Sequence, residues 1–342
     1  MHLAMNSKAI NHDRRRLVVA AAISLVAAAS GIRRAAASTL SSFGSLKQID
    51  AGVLNVGYAE AGPANGAPVL LLHGWPYDIH TYVDVAPLLA AAGYRVIVPH
   101  LRGYGSTRFL ADTTLRNGQQ SALAVDAIAL MDALKIKSAV VGGCDWGART
   151  ACIMAALWPE RVRALVSVSG YLIGSQELNR MPLPPQAEQE WWYQYYFATE
   201  RGRAGYEKNT REFARLIWRT ASPQWKFDDA TFNRSAAAFD NPDHVAITIH
   251  NYRWRLGLAE GEPRYEPLEQ RLAQFPLISV PSITLEADAN GAPHPDPSAY
   301  AKRFRGKYAH RNLKGGVGHN LPQEAPRAFA EAIVEADRYS RL

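Results

Sequence analysis

Val140-Val141-Gly142-Gly143-Cys144-Asp145-Trp146-Gly147-Ala148-Arg149 is the stretch on which the fold turns. An apolar run ends in Gly-x-Asp-x-Gly and passes at once into a helix-like segment, Arg149 to Leu157. The pattern predicts a tight strand-to-helix turn whose central side chain projects from strained backbone. Glycine stands two residues to either side because a Cβ there would meet the neighbouring strand and helix. At the centre is Asp145. A carboxylate so placed can attack carbon bearing a leaving group or closing a strained ring, giving an ester that must then be hydrolysed. Two other readings share the segment. Cys144 as nucleophile would put Trp146 where the second glycine belongs, and Asp145 as a plain helix N-cap would need no chemistry.

Around this turn, short apolar runs alternate with helical stretches. Gln48–Asp50 and Leu54–Glu60 read as two strands joined at Gly52. Val69–Leu72, Arg95–Pro99, Ala139–Gly142 and Ala164–Ser169 have the continuous apolar character of strands buried on both faces. Helical patterns at Val83–Ala92, Gln119–Leu134 and Arg149–Trp158 lie between them, which predicts a mostly parallel, doubly wound sheet. The alternation stops after Gly170. Residues 172–270 are rich in Trp, Tyr, Arg and Glu with helical periodicity and no convincing buried strand. Pro281–Leu285 and Lys307–Arg311 restore the strand pattern, and Ala325–Arg338 closes the chain as an amphipathic helix.

The first 37 residues are of another kind. Arg14-Arg15-Arg16 precede an apolar run from Leu17 to Ala29, and Ala35-Ala36-Ala37 offers an Ala-x-Ala cleavage site. At 13 residues the run falls short of the roughly 20 that span a bilayer. The segment reads as a removable export signal of twin-arginine type, so the expected destination is the periplasm or the medium, with no stable membrane anchor once it is removed. An uncleaved anchor or a misassigned start are the other readings. Six basic residues and Asp13 give residues 1–37 a net charge of +5, leaving +2 of the whole chain's +7. The basic balance therefore resides in the leader and does not indicate a nucleic-acid partner. The 2 cysteines, Cys144 and Cys152, are eight positions apart along a helical path, about 12 Å and too far for a disulfide. Neither a disulfide framework nor zinc-ligand spacing is present.

Two further motifs bear on Asp145. His73-Gly74-Trp75-Pro76 follows the first buried strand, where a loop can aim a backbone N–H at a developing oxyanion; the amides of Trp75 and Trp146 are the candidates. Gly315-Gly316-Val317-Gly318-His319-Asn320-Leu321-Pro322 follows the last strand. A lone loop histidine is usually a surface residue. One placed late in the chain, after an Asp elbow, fits the order nucleophile, acid, histidine, and His319 would act as the base that activates water against the ester.

Together these features resemble the α/β-hydrolase superfamily, and within it the epoxide hydrolase and haloalkane dehalogenase branch. The resemblance rests on residues 73–76, Leu101-Arg102-Gly103-Tyr104-Gly105-Ser106, Gly143-x-Asp145-Trp146-Gly147, and Gly318-His319-Asn320-Leu321-Pro322 with Glu324 and Pro326. It implies an eight-stranded, mostly parallel sheet with a helical cap insertion: core segments 46–171 and 271–342, cap 172–270. No cofactor and no metal are expected, and the expected partner is a small apolar substrate, an epoxide or an organohalide. Epoxide hydrolases of this kind use two cap tyrosines as donors to the ring oxygen, and here Tyr193 and Tyr252 match, with Tyr196 next in line. A phenol, with an unperturbed pKa of about 10, can donate its proton to a more basic alkoxide. Dehalogenases instead aim indole or amide N–H groups at the departing halide. Trp146 could serve as one donor, but Trp75 stands where an Asn is common, and a second donor would come from Trp191, Trp192 or Trp254.

Three positions depart from the pattern. Cys144 replaces the usual His before the nucleophile, and His100 the usual Asp before Leu101. The third is the triad acid, expected in Ala287-Asp288-Ala289-Asn290-Gly291. Family spacing puts Asn290 at the acid position; a shift of register in this glycine-containing turn would put Asp288 there, and Asp288 is the expected acid. An Asn cannot stabilise an imidazolium and can select the wrong tautomer; the corresponding change in a serine protease costs about 10⁴ in turnover. The sequence thus leaves three functions open: opening of an epoxide to a diol, dehalogenation of a haloalkane or haloacid by the same Asp145 and His319, and a hydrolase fold kept for ligand binding alone.

Overall fold

The computed structural model describes residues 42–341. The expected export signal, residues 1–37, lies outside the described residues.

Nine strands form one sheet: β1 Lys47–Ala51, β2 Leu54–Ala61, β3 Ala67–Leu72, β4 Tyr94–Pro99, β5 Arg108–Phe109, β6 Ala139–Gly143, β7 Val162–Val168, β8 Ser282–Ala287 and β9 Tyr308–Leu313. Their order is β1-β2-β4-β3-β6-β7-β8-β9, with β5 attached to β2. The hairpin β1–β2 is antiparallel to its neighbours and every pairing from β4 to β9 is parallel. The expected eight strands are corrected to nine: after Pro99 the chain doubles back, and Arg108 and Phe109 pair with Asn55 and Leu54. The central strands are buried along their length, as their unbroken Val, Leu and Ala content requires when helices cover both faces. Helices α1 Val85–Ala91, α2 Gln120–Ala133 and α3 Trp146–Leu157 follow β3, β5 and β6 in the chain. α14, Pro326–Tyr339, closes the chain and buries Phe329, Ile333 and Ala336 against the sheet.

Between β7 and β8 the chain is helical, with no strand among the described residues. Its elements are α4 Gln176–Asn179, α5 Pro185–Glu190, α6 Trp192–Ala198, α7 Glu200–Lys208, α8 Thr210–Ala221, α9 Asp229–Ala236, α10 His244–Arg255 and α11 Glu266–Ala273. The last of these runs across residue 270, the boundary expected from composition. This segment lies over the carboxyl ends of the parallel strands. Trp218 Nε1 donates to Pro76 O at 2.7 Å, and Trp75 Nε1 donates to Tyr206 Oη at 2.9 Å. The Tyr206 hydroxyl meets His244 Nε2 at 2.8 Å, and His244 Nδ1 reaches Gly103 O at 3.0 Å. One buried polar chain therefore ties the loop after β3 to two inserted helices and back to the core. α12 Pro297–Tyr300 and α13 Leu321–Glu324 are short turns near β9.

Candidate active site

Parallel pairing decides which loops meet. Leu72 of β3 is in register with Gly143 of β6, so the chains leaving these strands emerge side by side: Gly74 and Trp75 on one, Asp145 on the other. Asp145 has φ 55° and ψ −120°, a conformation L-residues avoid. The flanking glycines permit it. A Cβ on Gly143 would lie 2.2 Å from Gly147 O, and one on Gly147 would lie 1.8 Å from Leu72 O. Gly74 admits the carboxylate itself, since a Cβ there would come within 2.3 Å of Asp145 Cβ.

The strained turn aims the Asp145 carboxylate at a nest of donors. Trp75 N–H donates to Oδ1 at 2.8 Å, and the Trp146 N–H also hydrogen-bonds the carboxylate. His319 Nε2 lies 3.6 Å from Oδ2. Burial pushes the Asp145 pKa up, but the hydrogen bond and charge of His319 and the two amides outweigh it, and the group stays below the ordinary aspartate value. Beyond the Trp146 amide, the side chain makes no capping hydrogen bond to its helix. Cys144 points elsewhere: it is buried, its Sγ donates to His319 O at 3.3 Å, and desolvation raises its pKa well above that of a free thiol.

His319 is held by elements from three parts of the chain. Its N–H reaches Ser222 Oγ at 2.9 Å and Ala221 O at 3.2 Å, at the end of α8. Ser222 in turn donates to Glu324 Oε1 at 2.7 Å, and Glu324 Oε2 accepts from Gly318 N at 2.7 Å. The histidine loop is thus braced between α8 and α13.

The orienting partner is Asn290. Its Oδ1 lies 3.1 Å from His319 Nδ1. Asp288, expected in that role, is corrected: its carboxylate is exposed and accepts from Gly315 N at 3.0 Å and Gly316 N at 2.9 Å, on the far side of the turn. The reason is local. β8 runs through Ala287, Asp288 N bonds Leu313 O as if the strand continued, and the chain then folds back so that Asn290 N bonds Ala287 O at 3.2 Å. Asn290 faces the histidine and Asp288 faces the β9 loop. Asn290 has a carboxylate behind it. Its Nδ2 donates to Glu286 Oε1 at 2.9 Å, and Glu286 is 5% exposed, at the end of β8. With its N–H groups committed to Glu286 and, at 3.4 Å, to Ser169 Oγ, the amide must present oxygen to His319. That fixes Nδ1–H on the imidazole and leaves the Nε2 lone pair on the side of Asp145.

Above these groups is a cavity of about 300 Å³. Asp145, His319, Trp75, Tyr193 and Tyr252 line it, together with Trp191 and Trp192; Trp254 does not. The rings of Tyr193 and Tyr252 are 5.4 Å apart at 84°, and burial holds both phenols above their ordinary pKa, hence protonated. Tyr196 does not line the cavity and packs on Phe213. The Trp146 indole N–H is buried and meets only the Tyr252 phenol, short of full hydrogen-bond geometry among the described residues, whereas that of Trp75 is occupied by Tyr206. His73 and His100 are buried and neutral, desolvation holding their pKa values down to about 4 and about 3. Among the described residues no group of His, Cys, Asp and Glu is arranged to hold a metal ion. Sequence reading missed Glu286, Ser222 and the Tyr206–His244 link. Only Glu286 left a trace, as a charged residue at the end of an otherwise apolar strand.

The family model described as alpha/beta hydrolase fold matches residues 67–211. A crystal structure of a protein described as a "putative epoxide hydrolase", from Klebsiella pneumoniae subsp. pneumoniae MGH 78578, is 65% identical with a TM-score of 0.85, covering 86% of this chain and 97% of that one. An epoxide hydrolase of Caballeronia sordidicola is 28% identical over 317 residues, 82% of this chain and 89% of that protein. A haloalkane dehalogenase of Mycobacterium marinum is 27% identical over 212 residues, 59% of this chain and 67% of that protein. The chain belongs to the α/β-hydrolase fold family.

Proposed function

We propose that the protein is an epoxide hydrolase that works through an ester on Asp145. One observation carries the reading: the free carboxylate oxygen of Asp145 and two protonated cap phenols, Tyr193 and Tyr252, face the same small cavity. Trp75 holds Oδ1 and the Trp146 amide also donates to the carboxylate, which leaves Oδ2, on the His319 side, to attack an epoxide carbon. As that bond forms, the ring C–O bond breaks, and its electron pair goes to the oxygen, which takes a phenol proton. His319 Nε2 then removes a proton from water as its oxygen adds to Cγ of the ester, and the oxyanion forms where Trp75 and Trp146 already donate. Collapse expels the second alcohol, which takes the proton from His319. The regenerated carboxylic acid gives up the other water proton to restore the phenol. Asn290 and Glu286 hold the imidazole in the tautomer this sequence needs.

The names of the relatives support this reading, and so does the occupied indole of Trp75. A halide would be left with the Trp146 N–H as its one indole donor among the residues at the nucleophile. The test is to incubate wild type, Asp145→Ala and His319→Gln with styrene oxide and 1-bromobutane, following diol, bromide and intact protein mass. Diol from wild type, none from Asp145→Ala, and a substrate-mass adduct on His319→Gln are the expected results. Bromide without diol would instead assign the dehalogenase reaction, and no turnover with no adduct would leave ligand binding as the function. The leader further suggests an exported enzyme; fractionation of cells expressing the full chain, with N-terminal sequencing of the product, checks it.

A further inference from the structure

Two arginines border the same cavity, and neither has a carboxylate partner among the described residues. Arg149 lies in the first turn of α3, its N–H bonded to Asp145 O at 3.0 Å, and both side chains line the cavity. Its Nε donates to Leu172 O at 2.9 Å, which fixes the guanidinium plane, and among the described residues no other hydrogen bond or ion pair engages it. Arg255 ends α10 and reaches in from the cap side, its guanidinium 5.5 Å from the Tyr252 ring and 5.9 Å from the Trp191 ring. Burial and the like charge of Arg255 hold the Arg149 pKa down, to about 10. A chain gains no stability from two cations facing each other in a part-desolvated space. Asp145 offsets the charge of Arg149 only in part: its carboxylate is committed to Trp75, Trp146 and His319, and burial with the like charge of Arg255 still outweighs it. Glu190, the other acid on the wall, is exposed and hydrogen-bonded to Gln186.

We propose that Arg149 and Arg255 bind an anionic headgroup, so that the substrate is an epoxide carrying a carboxylate on an aryl or alkyl body. This rests on the epoxide reading above and names its substrate class. The geometry supplies each part. Guanidinium forks match a carboxylate bidentately, and the aromatic walls of Trp75, Trp191, Trp192 and Tyr193 receive an apolar body. The position of Arg149, one turn from the nucleophile, puts the anion a few atoms from the carbon Asp145 attacks.

The experiment compares 3-phenylglycidate, its neutral amide and styrene oxide on the full enzyme. Wild type is expected to prefer the acid over the amide by roughly 10- to 150-fold in kcat/KM, the range for a charge-assisted hydrogen bond. Arg149→Met and Arg255→Met should each collapse that ratio, mainly through KM. Benzoate, which carries no epoxide, is titrated calorimetrically in parallel. It should bind wild type and bind at least tenfold more weakly to Arg255→Met, a variant on the part-exposed cap face, with folding checked by thermal melting. Amide and acid turned over equally by wild type, or benzoate binding unchanged in Arg255→Met, overturns the anion site while leaving the epoxide reading intact. No diol from any of the three epoxides refutes the epoxide reading; benzoate then still decides the anion site by itself.

Discussion

On the mechanism proposed above, replacing Glu286 by Gln should separate the two halves of the reaction. The native carboxylate does two things for His319 through Asn290. It locks the amide so that oxygen faces Nδ1, and it places a negative charge behind the imidazolium that forms when water is deprotonated. Along that path the carboxylate lies roughly 8 Å from the ring, worth about 2 kcal/mol at an effective dielectric near 20, or about 30-fold. Exchanging a charge-assisted hydrogen bond at Asn290 Nδ2 for a neutral one removes about 1 kcal/mol more, roughly fivefold. Glu286→Gln should therefore slow ester hydrolysis about 10²-fold. Attack by Asp145 needs Trp75, Trp146 and the phenols, none of which touches Glu286, so its rate should stay within about threefold. Acid-quenched single-turnover reactions with styrene oxide, read by intact mass, should show the Asp145 adduct accumulating in the variant and not in wild type. The double variant Glu286→Gln/Asn290→Asp returns a carboxylate to His319 directly and should recover most of the loss. Two results would refute the reasoning: turnover within threefold of wild type with no adduct in the single variant, or a well-folded double variant that stays as slow as the single.

Other outcomes follow from the same geometry. Asp288→Asn should leave turnover within about threefold, because its carboxylate serves the Gly315–Gly316 loop; a hundredfold loss in steady-state kinetics would restore Asp288 as the acid. Tyr206→Phe leaves the Trp75 indole and His244 without their shared partner and should cost about 1–3 kcal/mol in urea unfolding; unchanged stability would mean the link contributes nothing. His73, His100 and His244 are desolvated in the fold, with pKa values of about 4, 3 and 4, below the unfolded value of about 6.5. The unfolded chain therefore takes up their protons first. Stability should be full above pH 6.5 and fall as the pH drops from there towards 4, by up to about 1.4 kcal/mol per pH unit for each histidine. Denaturant midpoints that stay flat across that window would contradict the assignment.

The elbow was legible because its requirements are local. Strained backbone at Asp145 demands glycine at fixed offsets, and a parallel sheet demands unbroken apolar strands, so Gly143, Asp145, Gly147 and the runs at 69–72 and 139–142 announce themselves in one dimension. His73-Gly74-Trp75 was legible for the same reason, since a single glycine admits the carboxylate. The partner of His319 was not. Asp288 and Asn290 are two residues apart on one turn, and which of them faces the histidine depends on how that turn closes against β9 and α8, a matter of tertiary hydrogen bonds to Leu313 and Ala221. Glu286 could gain a role only once Asn290 was seen to stand between it and the imidazole. Likewise Arg149 and Arg255, 106 positions apart in the chain, share a cavity only because the inserted helices fold back over the strand ends. Local requirements written in the chain mark out Asp145, its turn and the sheet that carries it. The tertiary structure decided what orients the base and what charge the pocket presents, because both arise where loops from distant strands converge.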